Sequence, residues 1–358
     1  MGSGGGAEHF RGLHRALLIS GLEFRLIAAR LQENRRAFYI DYISRGSAFW
    51  RYYLALWLWF WRHRSAVRDH DVFHFHRNYA AWPKYVFCGR RGRVLISYHN
   101  VSGRVLQGML GHLGAPIRAM MLALERLAVA RADALVCVSD RDRRILERVV
   151  LEPPFAHAAV IPAGYDEEIF DRTDISQPDP SKAHDLLFMG RLSHQKNVPL
   201  AVATLEELLR RDARYRLTIA GDGEGSRELM QRLARSPAGH AVDWVGRVPH
   251  DQVPALLASH GMVLLSSRYE ASPTVVKEAI RGMRPVVSTD VGDVTDWIED
   301  GKTGFICDAI PPALADGVEA TTEMIETGSY QPSGSVKALN ENAIMSQVMN
   351  LYRQLAAS

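Results

Sequence analysis

LLFMGRLSHQKNVPLAVATLEELLRR, residues 186–211, decides how this chain folds. Four apolar residues in a row suit a strand buried on both faces. A glycine follows at once, then a polar loop with two cations, then a run whose leucines and alanines recur at helical spacing. That is one βα unit, and the alternation continues. Residues 216–220 (RLTIA), 242–245 (VDWV), 262–266 (MVLLS), 285–288 (PVVS) and 304–307 (GFIC) read as strands, and 198–211, 224–235, 253–259 and 274–281 as helices. Repeated βα units predict a parallel sheet with helices on both faces.

The first half repeats the pattern less clearly. Candidate strands are 24–28, 72–75, 94–98, 134–138 and 159–161, with helices at 7–21, 47–64 and 115–130. The predicted organisation is an N-terminal α/β domain at 1–172, a linker at 173–183 within the polar, Pro-containing DRTDISQPDPSKA, a second α/β domain at 184–335, and a final helix at 336–358. Two open α/β sheets place their strand C-termini toward a shared cleft, where ligands bind.

Composition excludes several classes. With 358 residues, 47% hydrophobic and 23% charged, the chain is neither disordered nor fibrous. Cys88, Cys137 and Cys307 show no CxxC or zinc spacing and suit a reducing compartment. MGSGGGAEHF lacks the form of a signal peptide and no apolar run reaches 18 residues, so the expected location is cytoplasmic. The net charge of +3 conceals an asymmetry: residues 1–180 carry 25 Lys+Arg against 18 Asp+Glu, and 181–358 carry 18 against 22. The basic half either faces an anionic surface or acceptor, or reflects a bias toward Arg.

Two motifs carry chemistry. In GRLSHQKN (190–197), Gly190 lets the backbone turn and Arg191 and Lys196 stand at a strand's carboxyl end, where two cations clamp a dianion; alone, they could equally be a solvated loop. In YEASPTVVKEA (269–279), Glu270 sits in a loop and Glu278 in the second helical turn, with Ser272 as expected N-cap and Pro273 at the first helical position. Free amides there suit an anion, and two carboxylates suit sugar hydroxyls; alone, this could be a helix with an acidic first turn.

Together with AGDGEG (220–225), WVGRV (244–248) and PVVSTDVGD (285–293), these motifs resemble, in order and spacing, the retaining GT-B glycosyltransferases of the glycogen-synthase-like superfamily, glycosyltransferase group 1 and family 4-like. The resemblance covers essentially all of 183–307 and includes the family's E-x7-E pair, here Glu270 and Glu278. In outline it extends to the glycine loop and helix at 4–17, to DVFHFH, ISYHN, LVCVSD and VIPAGYDEEIF, and to a closing helix at 345–355.

The resemblance implies a GT-B fold of two Rossmann-like domains and metal-independent transfer, with retention, from a nucleoside-diphosphate sugar, UDP-linked by expectation, to a glycan, lipid-linked or small acceptor. Arg191 and Lys196 would neutralise the diphosphate. Glu270 with Ala271, Ser272, Pro273 and Thr274 would hold the sugar, Glu278 the ribose, and Val248 would line the base. His99 matches a cleft histidine, and Gly5 and Gly6 a loop near the phosphate or acceptor. No cofactor, metal or nucleic acid is implied. Three departures stand out: no strand precedes the glycine loop, Ala163 replaces an Asn, and Asp293 replaces a Gly. A non-catalytic nucleotide-sugar binder, a GT-B epimerase and an NAD-type dehydrogenase built on GSGGGA remain as alternatives.

DHD (69–71) and DRD (140–142) resemble metal-binding DxD motifs but end no strand, and His74 and His76 share a strand face without an evident third ligand. FWRYYLALWLWFWRHR (49–64) is read either as a membrane-surface contact or as a buried or interfacial helix, because its aromatics occur all round.

Overall fold

The computed structural model describes residues 5–24, 26–30, 40–45, 49–99, 115–149, 158–332, 336 and 339–358. The chain divides into two compact units, one built on Phe10–Pro162 with Ile344–Ser358 and the other on Ala163–Ala343.

The first unit runs α1 (Gly5–Ile19), β1 (Leu26–Arg30), β2 (Ile40–Arg45), α2 (Phe49–His63), β3 (Val72–Phe75), α3 (Trp82–Cys88), β4 (Arg93–Tyr98), α4 (Ala115–Val129), β5 (Ala134–Cys137), α5 (Asp140–Val149) and β6 (Ala158–Val160). Strands β3-β4-β5-β6 form a parallel sheet, and β1 and β2 a separate parallel pair. Its core gathers Leu56, Phe60, Val94, Ile96, Leu135, Cys137 and Leu146. Helix α2 is more sharply divided than its aromatic content suggests. Leu56 and Phe60 are buried, whereas Trp50, Leu54, Leu58 and Trp61, spaced by three or four residues, are exposed on one face.

The second unit runs α6 (Glu167–Asp171), β7 (Asp185–Met189), α7 (Val198–Arg211), β8 (Arg216–Ala220), α8 (Ser226–Leu233), β9 (Val242–Gly246), α9 (Val253–Ala258), β10 (Met262–Leu265), α10 (Thr274–Arg281), β11 (Val286–Thr289), β12 (Gly304–Cys307) and α11 (Pro311–Glu326). The last helix, α12 (Glu341–Ala357), lies mainly in the first unit, where the Tyr352 hydroxyl meets His74 Nδ1 at 2.6 Å. The sheet order β12-β11-β10-β7-β8-β9 is all parallel. It is doubly wound, and its order reverses between β7 and β10. The loops leaving those two strands diverge there and open a crevice at their C-terminal ends.

Arg284, 2% exposed, braces this unit. Its guanidinium donates to the carbonyls of Leu257, Ser176 and Ala258 at 2.7–2.9 Å, tying α9 and the connecting segment to the start of β11. Among the described residues, no helix is long and apolar enough to cross a membrane.

Candidate active site of the second unit

Both loops of the crevice contribute. Beyond β7, Gly190 takes φ +152°, and a Cβ there would stand 3.2 Å from Lys196 Cε, so the missing side chain makes room for the lysine stem. A Cβ on Gly221, at φ +156°, would fall 1.8 Å from the Gly190 carbonyl oxygen, so the backbones at the ends of β7 and β8 touch as only glycine permits. Asn197 adopts the left-handed conformation and starts α7, and Ser266 Oγ donates to the carbonyls of Lys196 and Asn197. The cationic loop is thereby fixed to the end of β10.

Across the crevice, Glu270 receives three donors: Lys196 Nζ at 2.7 Å, Ser267 Oγ at 2.8 Å and Gln195 Nε2 at 3.0 Å. The pair is 9% exposed on the Glu270 side and 18% on the Lys196 side. The sequence names both residues, and the structure brings them into contact; Gln195 and Ser267 carried no signal of their own. Arg191 is exposed on the same loop.

Helix α10 follows. Pro273, not Ser272, is its N-cap, and the helix begins at Thr274, which corrects the expected cap. The Ser272 hydroxyl serves elsewhere: it accepts from Lys277 Nζ and the Ala163 amide and donates to Asp293 Oδ2 at 2.7 Å. Among the described residues, nothing accepts from the amides of Ala271, Ser272, Thr274 or Val275, and first-turn amides have no intrahelical partner. Their partial positive charge faces the end of the sheet.

Glu278 lies in the second turn, as the spacing predicts, and is buried. Burial raises its carboxyl above the usual range, against opposing pulls from His250, 3.9 Å away, and from Lys196. Val248 is half-buried in the loop after β9, two residues before His250. A buried carboxyl beside an imidazole is a ready partner for hydroxyls.

In the first unit, His76 Nδ1 meets His99 Nε2 at 2.8 Å, and the His74 ring lies tilted against His76 at 4.1 Å between centroids. His99, named through the family resemblance, thus sits against His76. Among the described residues, no three His, Cys, Asp or Glu side chains are grouped to hold a metal. Gly5 and Gly6 are the first two residues of α1 rather than a loop, a correction to their expected placement; residues 1–4 lie outside the described ones. Asp140 and Asp142 open α5, where Asp140 pairs with Arg143 and Arg144. That pairing gives Asp140 a role in the fold, and the Asp142 amide donates to Ser139 Oγ.

Against known families, residues 170–327 match the model for glycosyl transferases group 1, and residues 3–169 that for glycosyltransferase family 4. Alpha-D-kanosaminyltransferase of Streptomyces kanamyceticus is 26% identical over 64% of this chain and 63% of its own length. Glycogen synthase of Mycobacterium tuberculosis is 29% identical over 55% of the chain and 47% of its own. The chain thus spans about half to two thirds of these relatives. Among solved structures, sucrose-phosphate synthase from Thermosynechococcus elongatus superposes with a TM-score of 0.79 at 20% identity, covering 99% of this chain and 95% of that one. Anabaena HepE in complex with UDP and glucose gives 0.64 at 17% identity over 87% and 85%. At such identities the likeness speaks to the fold, which is GT-B.

Proposed function

Since the chain belongs to the group 1 glycosyltransferases of the GT-B fold, we propose that it transfers a sugar, with retention and without a metal, from a nucleoside diphosphate, UDP in the first instance, to a glycan, lipid-linked or small acceptor. The observation that carries the reading is the 2.7 Å contact of Lys196 with Glu270 across the switch-point crevice, beside unpartnered amides at the start of α10. A cation, a carboxylate and free N–H groups within one crevice offer donors to a diphosphate and acceptors to sugar hydroxyls.

Lys196, with Arg191, stabilises the diphosphate as its bond to the sugar breaks. A preorganised donor of this kind supplies about 3–4 kcal/mol of transition-state stabilisation. Glu270 and the Ala271–Thr274 backbone hold the sugar, Glu278 takes the ribose hydroxyls, and Val248 lines the base. His99, Gly5 and Gly6 enter through the family resemblance. The departing phosphate oxygen takes the acceptor's proton, so no protein nucleophile is required.

The acceptor surface falls to the basic first half. The exposed Trp50, Leu54, Leu58 and Trp61, with Arg51 and Arg62 on the same helix, support peripheral contact with an anionic bilayer from the cytoplasmic side. The test is incubation with UDP-, GDP- and ADP-sugars with and without EDTA, following nucleotide release and the product's anomeric configuration by NMR. Nucleotide release that persists in EDTA, with a retained anomer, is expected; an inverted product or abolition by EDTA overturns the mechanism.

A further inference from the structure

Lys277 is fully buried, a place where a lysine needs a reason. It stands beside Glu278 on α10, and its Nζ donates to Asp293 Oδ2 at 2.9 Å and to Ser272 Oγ. The Trp297 ring lies 5.4 Å from the ammonium and closes the site. Ser272 Oγ accepts a third contact from the Ala163 amide at 3.2 Å. Three segments that are distant in sequence therefore meet on one hydroxyl and one ammonium: the chain after β6, the loop before α10, and the turn after β11. That turn is also in backbone contact with the loop, since Gly292, at φ +57°, holds its Cα where a Cβ would fall 2.7 Å from the Ala271 carbonyl oxygen.

The loop between Glu270 and Thr274 is thus held at two points. Glu270 fastens its front to Lys196 and Gln195, and Ser272 fastens its rear to Lys277 and Asp293. The unpartnered amides lie between and beside these anchors. A buried ion pair is rarely the most stable filling for such a space, and an apolar pair of similar volume usually serves stability as well or better. What the pair supplies is direction: two charges and a hydroxyl accept one arrangement, whereas methyl groups accept many.

We propose that Lys277, Asp293 and Ser272 are positioning residues that hold the 270–274 loop in the geometry that grips the transferred sugar of the donor. This rests on the reading of the second unit as the donor site. Asp293, itself buried, is the counter-charge Lys277 requires.

The experiment compares the intact chain with the double variant Lys277→Met plus Asp293→Leu. The double variant should melt at or above the wild-type temperature. Its Kd for the sugar nucleotide that binds wild type should rise at least tenfold by calorimetry, with the Kd for the matching nucleoside monophosphate within threefold. Wild-type affinity for both ligands, or equal loss of both, overturns the proposal. Amide hydrogen exchange needs no ligand: Val276, whose amide donates to the Pro273 carbonyl at the start of α10, should exchange at least tenfold faster in the variant, with β7 and β8 unchanged. Unchanged exchange there overturns the proposal even if no nucleotide binds, whereas faster exchange without any nucleotide binding leaves the positioning role standing and removes the donor-site reading. If the double variant does not fold, Ser272→Ala keeps the ion pair and removes the shared hydroxyl, with the same readouts and a loss of threefold or more expected.

Discussion

Replacing Lys196 with methionine separates its structural from its chemical contribution. The ammonium lies 2.7 Å from Glu270, and at an effective dielectric constant near 20 the gross attraction at that distance is about 6 kcal/mol, much of it offset by desolvation. Glu270 retains Ser267 and Gln195 as donors, so the carboxylate is not abandoned. The net loss of stability should therefore be about 1–3 kcal/mol. For a unit of this size that lowers the melting temperature by roughly 2–4 °C per kcal/mol. If the ammonium neutralises the departing diphosphate, turnover should fall far more, by about 100- to 1000-fold. Thermal unfolding by circular dichroism and nucleotide release from the sugar nucleotide that binds wild type measure the two quantities on one preparation. A folded Lys196→Met protein with turnover within threefold of wild type would refute the assignment.

Three further outcomes follow from named groups. Burial raises the Glu278 carboxyl, so its contribution to stability is fully present below its unfolded value and is lost as pH rises through the folded one. Glu278→Gln should flatten that decline and raise the unliganded melting temperature at pH 7 while weakening nucleotide binding; an unchanged pH slope contradicts the assignment. Arg284→Met strands the carbonyls of Leu257, Ser176 and Ala258 and should cost about 3 kcal/mol or more, read by urea unfolding, with a loss under 1 kcal/mol contradicting it. Burial pushes the Cys137 thiol up to about 12 and that of the half-buried Cys307 to about 11, so a thiol reagent at pH 8 should label these two slowly in the native protein and rapidly in urea; rapid native labelling of Cys137 refutes its burial.

The second unit was legible because its strands are continuous apolar runs and its helices carry strong periods; residues 198–211, 216–220, 274–281 and 304–307 coincide with α7, β8, α10 and β12. Helix α11 escaped notice although Leu314, Val318 and Ile325 are buried at helical spacing. Gly317 and neighbouring threonines weaken its propensity, and the glycine has a tertiary cause: a Cβ there would lie 2.5 Å from Cys307 Sγ. Helix α5 was hidden by its charges. Its Arg143 bridges Asp140 and Glu147 one turn away on either side, and Ser139 Oγ accepts from the Asp142 amide, a capping signal that was readable at S-x-x-D.

At the site, Lys196, Glu270 and Glu278 could be read because loops at strand ends and a fixed spacing announce them. Lys277 could not. A lysine beside a glutamate on a helix reads as a solvated face, and only the packing of β11's turn against the loop removes it from water. Asp293 was visible as a departure from the family pattern, yet its meaning depended on a partner sixteen residues earlier. His99 is named through the family resemblance, and its contact with His76 comes only from the register of β3 against β4.

The most direct test of the donor-site reading is the melting temperature of the purified chain against UDP, GDP and ADP and their sugars. A ligand at about a hundred times its Kd adds roughly 2.7 kcal/mol to the stability of the unit that binds it, a shift of several degrees. The account predicts such a shift from one nucleotide series, lost in Lys196→Met and weakened in Glu278→Gln. A cooperative melt that no nucleotide moves would contradict it.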